Sequence, residues 1–244
     1  VNDTGVTSTE FDKLDGLTAT TTELNKLSGV TATADEINLV DGSVTGSLSH
    51  RNMIINGAMQ VWQRGTSSTS TSYQTVDRFR WDWAGGVGIT QSQVAISTGS
   101  PFDAGFRYAY RATCTSANAS AGVYVQCNQE VEAQNIANSG WNYKSASSYI
   151  TLSFWARSSL AGTYYSQLRT VDGSEYIYYK SFTLSANTWT KVTCTIPGNS
   201  NLQFDNNNDK GLRVLIVAHY GTDYTGGGEA SSETWYSRSS QGDA

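Results

Sequence analysis

The chain has 244 residues, a net charge of −5, 15 % charged residues and only two prolines. Two prolines exclude a collagen-like or polyproline rod, and an aromatic content of 11 % argues against a disordered chain. The longest apolar run, residues 214–218, is far shorter than the roughly 20 residues of a membrane span, so we expect no membrane insertion. The length favours one large domain and a smaller one.

Residues 1–48 contain a 13-residue repeat. Its copies are Thr9-Glu-Phe-Asp-Lys-Leu-Asp-Gly16, Thr22-Glu-Leu-Asn-Lys-Leu-Ser-Gly29 and Asp35-Glu-Ile-Asn-Leu-Val-Asp-Gly42. In each copy a threonine stands three residues before the glutamate, which is the spacing of a helix-capping box. The closing glycine suits a left-handed helix end. Each copy therefore predicts a helix of about two turns or less.

Each copy also carries two apolar residues three positions apart. The six are Phe11, Leu14, Leu24, Leu27, Ile37 and Val40. Such short helices are unstable alone in water, and so short a segment cannot enclose a core. We therefore expect identical chains to bury these residues around a symmetry axis, which makes residues 1–48 a slender oligomerisation shaft. A flexible threonine-rich linker is the alternative interpretation.

Negative charge is concentrated in this first segment. Residues 1–50 carry eight acidic and two basic residues, so the rest of the chain has a net charge of +1. Neither part has the basic stripe that phosphate binding requires, so nucleic acid is not an expected partner. The odd number and wide spacing of Cys114, Cys127 and Cys194 fit neither a disulfide framework nor a zinc site. Buried free thiols and folding in a reducing cytosol are expected.

Residues 49–244 are predicted to form strands throughout. Short alternating runs occur at residues 108–114, 123–127, 149–157, 164–170, 176–184, 189–196 and 212–220. Clusters of Gly, Asn, Ser and Asp separate them. Eight to ten strands predict a mainly β protein, namely a jelly-roll-type two-sheet β-sandwich preceded by a short helical-turn repeat shaft.

The strand-rich part also carries a resemblance. Its segments Asn52-Met-Ile-Ile-Asn-Gly57, Val61-Trp-Gln-Arg-Gly65 and Thr75-Val-Asp-Arg-Phe79 resemble the opening of a jelly-roll module common in bacteriophage tail fibres. The 13-residue copies resemble shaft repeats in fibres of marine phages, cyanophages included. The resemblance implies a homotrimeric fibre of the virion, made in the host cytoplasm, joined to other phage tail proteins and contacting host-surface polysaccharide.

The start and the end of the chain prompt two expectations. The sequence begins at Val1 without an initiator Met or a signal segment, which indicates a fragment or a processed product. Modules of the resembled family usually close with a strand that contains a Gln-Leu-Glu-like motif. Residues 225–244 carry Trp235 and Tyr236 but no clear closing strand. We therefore expect the gene to continue past Ala244, or another chain to supply that strand.

Common catalytic motifs are missing from the sequence, which has no HExxH, GxSxG or Walker loop. His219 lies in an apolar run and is expected to be a core or pore-facing residue. Glu130 and Glu132 have the strand spacing of a glycosidase pair but are expected to be solvated. Residues 205–209 resemble the start of a calcium loop but lack its Gly and Glu, which favours a hairpin loop. We expect no catalytic residue, metal or cofactor.

Strand alternation predicts a sugar-binding face. If Val123, Val125, Cys127, Leu152, Phe154 and Leu168 face the core, the residues between them face outward. Aromatic rings there can pack on the C–H surface of a sugar, while amide and guanidinium groups bond its hydroxyls. The candidate glycan-binding residues are Tyr124, Gln126, Asn128, Trp155, Arg157, Tyr165, Gln167 and Arg169. The alternative is that they fill an interface with a neighbouring subunit.

The expected function is structural: a phage tail-fibre segment that attaches to host glycans without catalysis. Two other classes remain open at this point. A polysaccharide-degrading tailspike-type enzyme would be indicated by an acidic pair in a groove together with turnover of host polysaccharide. A bacterial surface adhesin would be indicated by a signal peptide upstream of Val1.

Overall fold

In the computed structural model the chain forms two compact units, Val1–Gly46 and Ser47–Ala244. The structure describes residues 5, 7–12, 15–33, 52–225 and 233–238. The domain boundary predicted after residue 48 lies outside these described residues. Each described helix is short, so the architecture is set by the strands of the second unit.

The first unit contains two short helices, α1 (Ser8–Asp12) and α2 (Thr21–Lys26). The capping box predicted at Thr20 is confirmed. The Glu23 N–H donates to the Thr20 hydroxyl over 3.3 Å, and the Thr20 N–H donates to the Glu23 carboxylate over 2.7 Å. Gly16 and Gly29 adopt the left-handed conformation, with φ of +81° and +95°, as expected at helix ends.

The described apolar side chains of this unit lie on its surface. Leu24 is 41 % exposed and Leu27 is 60 % exposed within the single chain. The side chain of Phe11 lies outside the described part, as do Leu14, Ile37 and Val40. The unit therefore does not bury its two described repeat leucines by itself.

The second unit is built mainly from strands. They are β1 (Ser67–Ser68), β2 (Phe79–Ala84), β3 (Gly88–Ala95), β4 (Tyr108–Ser116), β5 (Tyr124–Glu132), β6 (Tyr149–Ala156), β7 (Gly162–Thr170), β8 (Tyr176–Leu184), β9 (Thr190–Pro197), β10 (Lys210–Tyr220) and β11 (Tyr236–Ser237). The described helices of this unit are α3 (Ser100–Asp103), α4 (Ala133–Ala137) and α5 (Thr222–Thr225). With 41 % strand and 11 % helix, the predicted mainly β class is confirmed.

Three antiparallel sheets share the core. The largest has the order β11-β8-β7-β10-β5-β2, and the smaller ones are β1-β3-β4 and β6-β9. One apolar cluster joins Val131 and Leu212 of the large sheet to Ile196 of β9. A second joins Trp81 of β2 to Ile89 of β3. Since all the large-sheet residues in both clusters lie on one face by strand alternation, the arrangement is consistent with a β-sandwich.

Amide side chains fix the segment that precedes β2, which has little regular structure. Asn56 adopts the left-handed conformation, with φ of +58°. Its Nδ2 donates to the carbonyls of Val61 and Asp77 over 3.1 and 2.9 Å, and its Oδ1 accepts the N–H groups of Gln60 and Val61 over 3.0 and 3.1 Å. One side chain thus closes the loop and ties it to the start of the sheet.

Two glutamines hold the same segment against the strands. Gln129 of β5 accepts the Ile55 N–H over 2.9 Å and donates to the Ile55 carbonyl over 2.8 Å, as a neighbouring strand would. Gln91 of β3 accepts from Thr75 over 3.1 Å and donates to the Ser72 carbonyl over 3.2 Å. Both glutamines are buried. Hydrogen bonds to amides therefore replace a sheet ladder along this segment.

The cysteine prediction is wrong for one of the three residues. All three are free thiols, and Cys127 and Cys194 are buried, but Cys114 is exposed. Burial raises the pKa of the Cys194 thiol to about 11. Cys114 pairs with Ile89 beside a register shift in the β3–β4 ladder, on a strand that pairs on one side only among the described strands. Cys114 lies on the same face as Tyr110 and Ala112, which pack against the second apolar cluster, but it is near the end of an edge strand and is not part of that cluster.

A short closing strand exists where the sequence shows none. Tyr236 pairs with Ile177, which places β11 at the edge of the large sheet beside β8. The preceding Trp235 is buried and donates its indole N–H to the Pro197 carbonyl over 2.7 Å. A two-residue strand carries too little alternation to be recognised from sequence.

Candidate functional site

Six of the eight predicted glycan contacts lie on one face of the large sheet. They are Tyr124, Gln126 and Asn128 on β5 and Tyr165, Gln167 and Arg169 on β7. Strand β10 runs between these two strands, so that Val217 is paired with both Gln126 and Tyr165. This face points away from both apolar clusters and is called the outer face here.

Trp155 and Arg157 do not belong to this face. Trp155 lies on β6, which pairs with β9 in a separate sheet, and Arg157 follows β6. The prediction joins them to Tyr165 by strand alternation alone, which does not show which strands share a sheet. The two strands are not neighbours in a sheet, so the grouping was wrong.

Two predicted contacts on the outer face are buried. Asn128 is 1 % exposed and Gln167 is 2 % exposed. The Asn128 Oδ1 accepts from Arg80 over 2.9 Å, and its Nδ2 donates to Asp82 over 2.7 Å. Alternation predicts the face of a residue correctly here, but long neighbouring side chains such as Arg80 cover the short amides.

Two further candidates already bind within the chain. Gln126 accepts a hydrogen bond from the Tyr220 hydroxyl over 2.7 Å. Arg169 binds both carboxylate oxygens of Glu175 over 3.0 and 2.8 Å. Since these groups are held by protein partners, the predicted amide and guanidinium contacts are poorly placed to recognise a ligand.

Ion pairs dominate the part of the outer face near β2. Glu130 contacts Arg80 at 3.2 Å, Arg213 at 2.7 Å and Lys210 at 3.5 Å. Burial raises the pKa of Glu130, but the hydrogen bond from Arg213 and the surrounding positive charges outweigh it, so the pKa lies below its ordinary value. Hydrogen bonds from Gln134 and Arg78 also lower the pKa of Glu132. Both carboxylates are therefore held in the ionised form.

The large sheet divides at the other end of this face. The ladder between β10 and β7 ends at the pair Val217–Tyr165. Beyond that pair, β10 continues along β5 to Tyr220, and β7 continues along β8 to Gly162. A bulge lies in β10 between Val217 and His219. Bulges of this kind redirect side chains at sheet edges and binding sites.

A groove of about 320 Å³ lies where the strands of the sheet diverge, and it is called the tyrosine groove here. Its residues are Thr163, Tyr164, Tyr165, Tyr179, Val217, Ala218, His219, Tyr220 and Thr225. Tyr165 and Tyr179 stand edge to face with ring centroids 5.9 Å apart. Tyr220 packs against Tyr224 at 5.5 Å. Aromatic side chains thus occupy both strands that border the division.

His219 does not lie in the core, which is one of the two positions that the sequence predicts for it. It is exposed and lies in the wall of the tyrosine groove. A bulge adds Ala218 to β10 without a partner on β5, so that His219 pairs with Val125. Ala218 and His219 are consecutive and both exposed, whereas a regular strand would place one of them inside.

Sequence reasoning missed most of the tyrosine groove. Tyr179 lies on β8 and Tyr220 ends β10, and neither was among the candidates. The available signal was the density of tyrosine, 14 residues in the chain. The number of tyrosines does not show which of them lie together, because their positions depend on strand order and on the bulge.

Other functional features are limited in the part of the chain that the structure describes. Within it, no three His, Cys, Asp or Glu side chains are grouped closely enough to hold a metal ion. Residues 205–209 form a loop that leads into β10, in which the Asp209 N–H donates to Asn207 over 3.0 Å. No described helix has the length and apolar character needed to cross a bilayer.

Comparisons with protein-family models, with curated proteins and with solved structures found no match to this chain.

Proposed function

We propose that this chain is a non-catalytic segment of a phage tail fibre that attaches the virion to glycans on the host surface. In this proposal residues 1–48 are a homotrimeric shaft that joins other tail proteins, and residues 49–244 are a jelly-roll-type binding module. The observation that carries the proposal is the tyrosine groove, which offers aromatic rings and hydroxyls in a site of about 320 Å³. Such a site is suited to the ring faces and hydroxyls of a sugar.

The exposed leucines of the first unit support the shaft. Leu24 and Leu27 are on the surface of a six-residue helix, which is too short to be stable alone in water. Burying a leucine contributes about 1.5–3 kcal/mol, so symmetry-related copies would stabilise one another through these side chains. The trimer follows from the resemblance to fibre repeats, since burial alone does not select the number of chains.

The ionisation of the carboxyl groups of Glu130 and Glu132 on β5 favours the non-catalytic part of the proposal. A glycosidase needs one carboxyl group that keeps its proton near neutral pH, which requires a raised pKa. Glu130 and Glu132 both have lowered pKa values, and each is paired with an arginine. Neither carboxyl group is therefore prepared to protonate a leaving group.

The full chain provides the test. Sedimentation equilibrium measures its mass, an array of bacterial surface glycans measures binding, and a reducing-end assay on the same glycans measures cleavage. We expect three times the chain mass, binding to glycans and no release of reducing ends. A monomer, an array without signal or the appearance of new reducing ends would each overturn the corresponding part of the proposal.

A further inference from the structure

The residues of the tyrosine groove restrict the chemical class of ligand that it can bind. None of the described residues that line it is Lys, Arg, Asp or Glu. Charged side chains also occur on adjacent elements, and most of those described are paired with a side chain of opposite charge. Lys180, next to Tyr179, is paired with Glu233 at 2.6 Å, and the carboxylate of Asp223 on α5 lies beside Gly122. The arginines of the outer face are paired with carboxylates.

We infer that the tyrosine groove binds an uncharged saccharide and not an anionic one. This inference rests on the proposed function, glycan attachment, and specifies the class of glycan. Recognition of uronate, sialyl, sulfate or phosphate groups uses an available cationic side chain or an array of N–H donors, because desolvating an unpaired charge is unfavourable. Among the described residues of the groove none is Lys or Arg, and its rings, its hydroxyls and the His219 imidazole match the ring faces and hydroxyls of a neutral pyranose.

The shape of the groove also favours a sugar over an extended peptide. The β10–β7 ladder ends at Val217 and Tyr165, which leaves three residues of each strand, 218–220 and 162–164, along the division. Peptides that add to a sheet bind through a continuous row of main-chain hydrogen bonds. Three residues per side are too few for such a row, but they leave space for a compact ring between Tyr165 and Tyr220.

Tyr165 provides the test of this inference. It is 36 % exposed and borders the groove, so Tyr165→Ala removes a ring face with little change in the core. Tyr149→Ala is the matched control, because Tyr149 is 59 % exposed but lies on β6 in the other sheet. The array carries neutral oligosaccharides and their uronate, sialyl and sulfated counterparts. Melting curves of both variants establish that each remains folded.

We expect the full chain to bind neutral glycans and Tyr165→Ala to bind them about 10-fold more weakly. The control should bind like the parent chain. Binding should also stay constant from about 50 to about 500 mM NaCl, since salt screens only charged contacts. Binding restricted to anionic glycans, or unaffected by Tyr165→Ala, would overturn the inference and leave glycan attachment standing. If no glycan of either class binds, glycan attachment itself is overturned.

Discussion

At the scale of single residues, amide side chains replace secondary structure where the chain has none. Gln129 satisfies both backbone groups of Ile55, and Asn56 makes four hydrogen bonds in its own loop. A buried backbone group that loses its partner costs about 1–3 kcal/mol. These residues are therefore expected to matter for stability as much as many apolar residues of the core.

Replacing Gln129 tests this role. Gln129→Met keeps the volume of the side chain but leaves the N–H and the carbonyl of Ile55 without partners. We expect the free energy of unfolding to fall by about 1–3 kcal/mol, measured by urea denaturation. Gln63→Met is the control, since Gln63 is exposed. Equal stability of the two variants would show that Gln129 does not hold the segment.

Asp172 is expected to make the fold less stable, not more stable, as the pH rises and its carboxyl group ionises. Burial raises its pKa, the charges of Asp205 and Asp209 raise it further, and the hydrogen bond from the Asp205 N–H opposes them. A raised pKa means that the ionised carboxylate is less favourable in the folded chain than in the unfolded chain. This penalty is complete above the folded-state pKa and disappears as the pH falls below 3.8, the unfolded value.

Asp172→Asn should therefore stabilise the protein at neutral pH. Asparagine retains an oxygen that can accept the Asp205 N–H, which Asp172 accepts over 3.1 Å. We expect a higher melting temperature than the parent at pH 7 and a difference that narrows as the pH approaches the unfolded value. A variant that is less stable at pH 7, or a difference that does not change with pH, contradicts this account.

At the scale of elements, β10 connects the core to the tyrosine groove. It pairs with β5 and β7, buries Leu212 and Leu215, and then carries the bulge. Gly221 follows it, and a Cβ there would lie 2.3 Å from the Ala121 carbonyl oxygen. The close approach lets the Gly221 N–H donate to the Val123 carbonyl over 2.7 Å before α5 begins.

Gly221→Ala is expected to displace the end of β10. Backbone cannot move aside as a flexible side chain can, so the substitution should cost about 1–3 kcal/mol and lower the melting temperature. Gly162→Ala is the control, because a Cβ at Gly162 would meet only ordinary contact at 4.0 Å. If the two variants melt alike, the approach of Gly221 to Ala121 is not a constraint on the fold.

The strands could be predicted from sequence because alternation is a local property. The predicted run 176–184 coincides with β8, and 149–157 differs from β6 by one residue. Sheet membership is not local, which is why the prediction assigns Trp155 to the wrong sheet. The amides of the coil before β2 were missed for the same reason, since Gln129 lies 74 positions from its partner Ile55. The bulge beside His219 leaves no mark in the hydrophobic pattern.

At the scale of the whole molecule, charge and exposed apolar groups are unevenly distributed. Residues 1–50 have a net charge of −6, and Leu24 and Leu27 are exposed in this part of the chain. Three identical acidic segments repel one another at low ionic strength, while apolar contacts do not depend on charge. The proposed trimer should therefore become more stable as salt is added.

Replacing Leu24 and Leu27 together tests the trimer. The double variant Leu24→Ser and Leu27→Ser loses the apolar contacts of six side chains per trimer, so we expect it to sediment as a monomer where the parent sediments as a trimer. Asn25→Ser changes an exposed polar residue of the same helix and should leave the mass unchanged. A double variant that remains trimeric would place the contacts between chains elsewhere.

The amide-anchored segment before β2 has a consequence for the order of events during synthesis. Ile55 leaves the ribosome 74 residues before Gln129, and Trp81 precedes its partner Cys127 by 46 residues. The segment is thus among the first parts of this unit to be made, yet it can take its place only after β5 exists. At about 5–20 residues per second it waits several seconds for that strand. Its amides should accordingly be among the last to gain protection from hydrogen exchange as the chain folds.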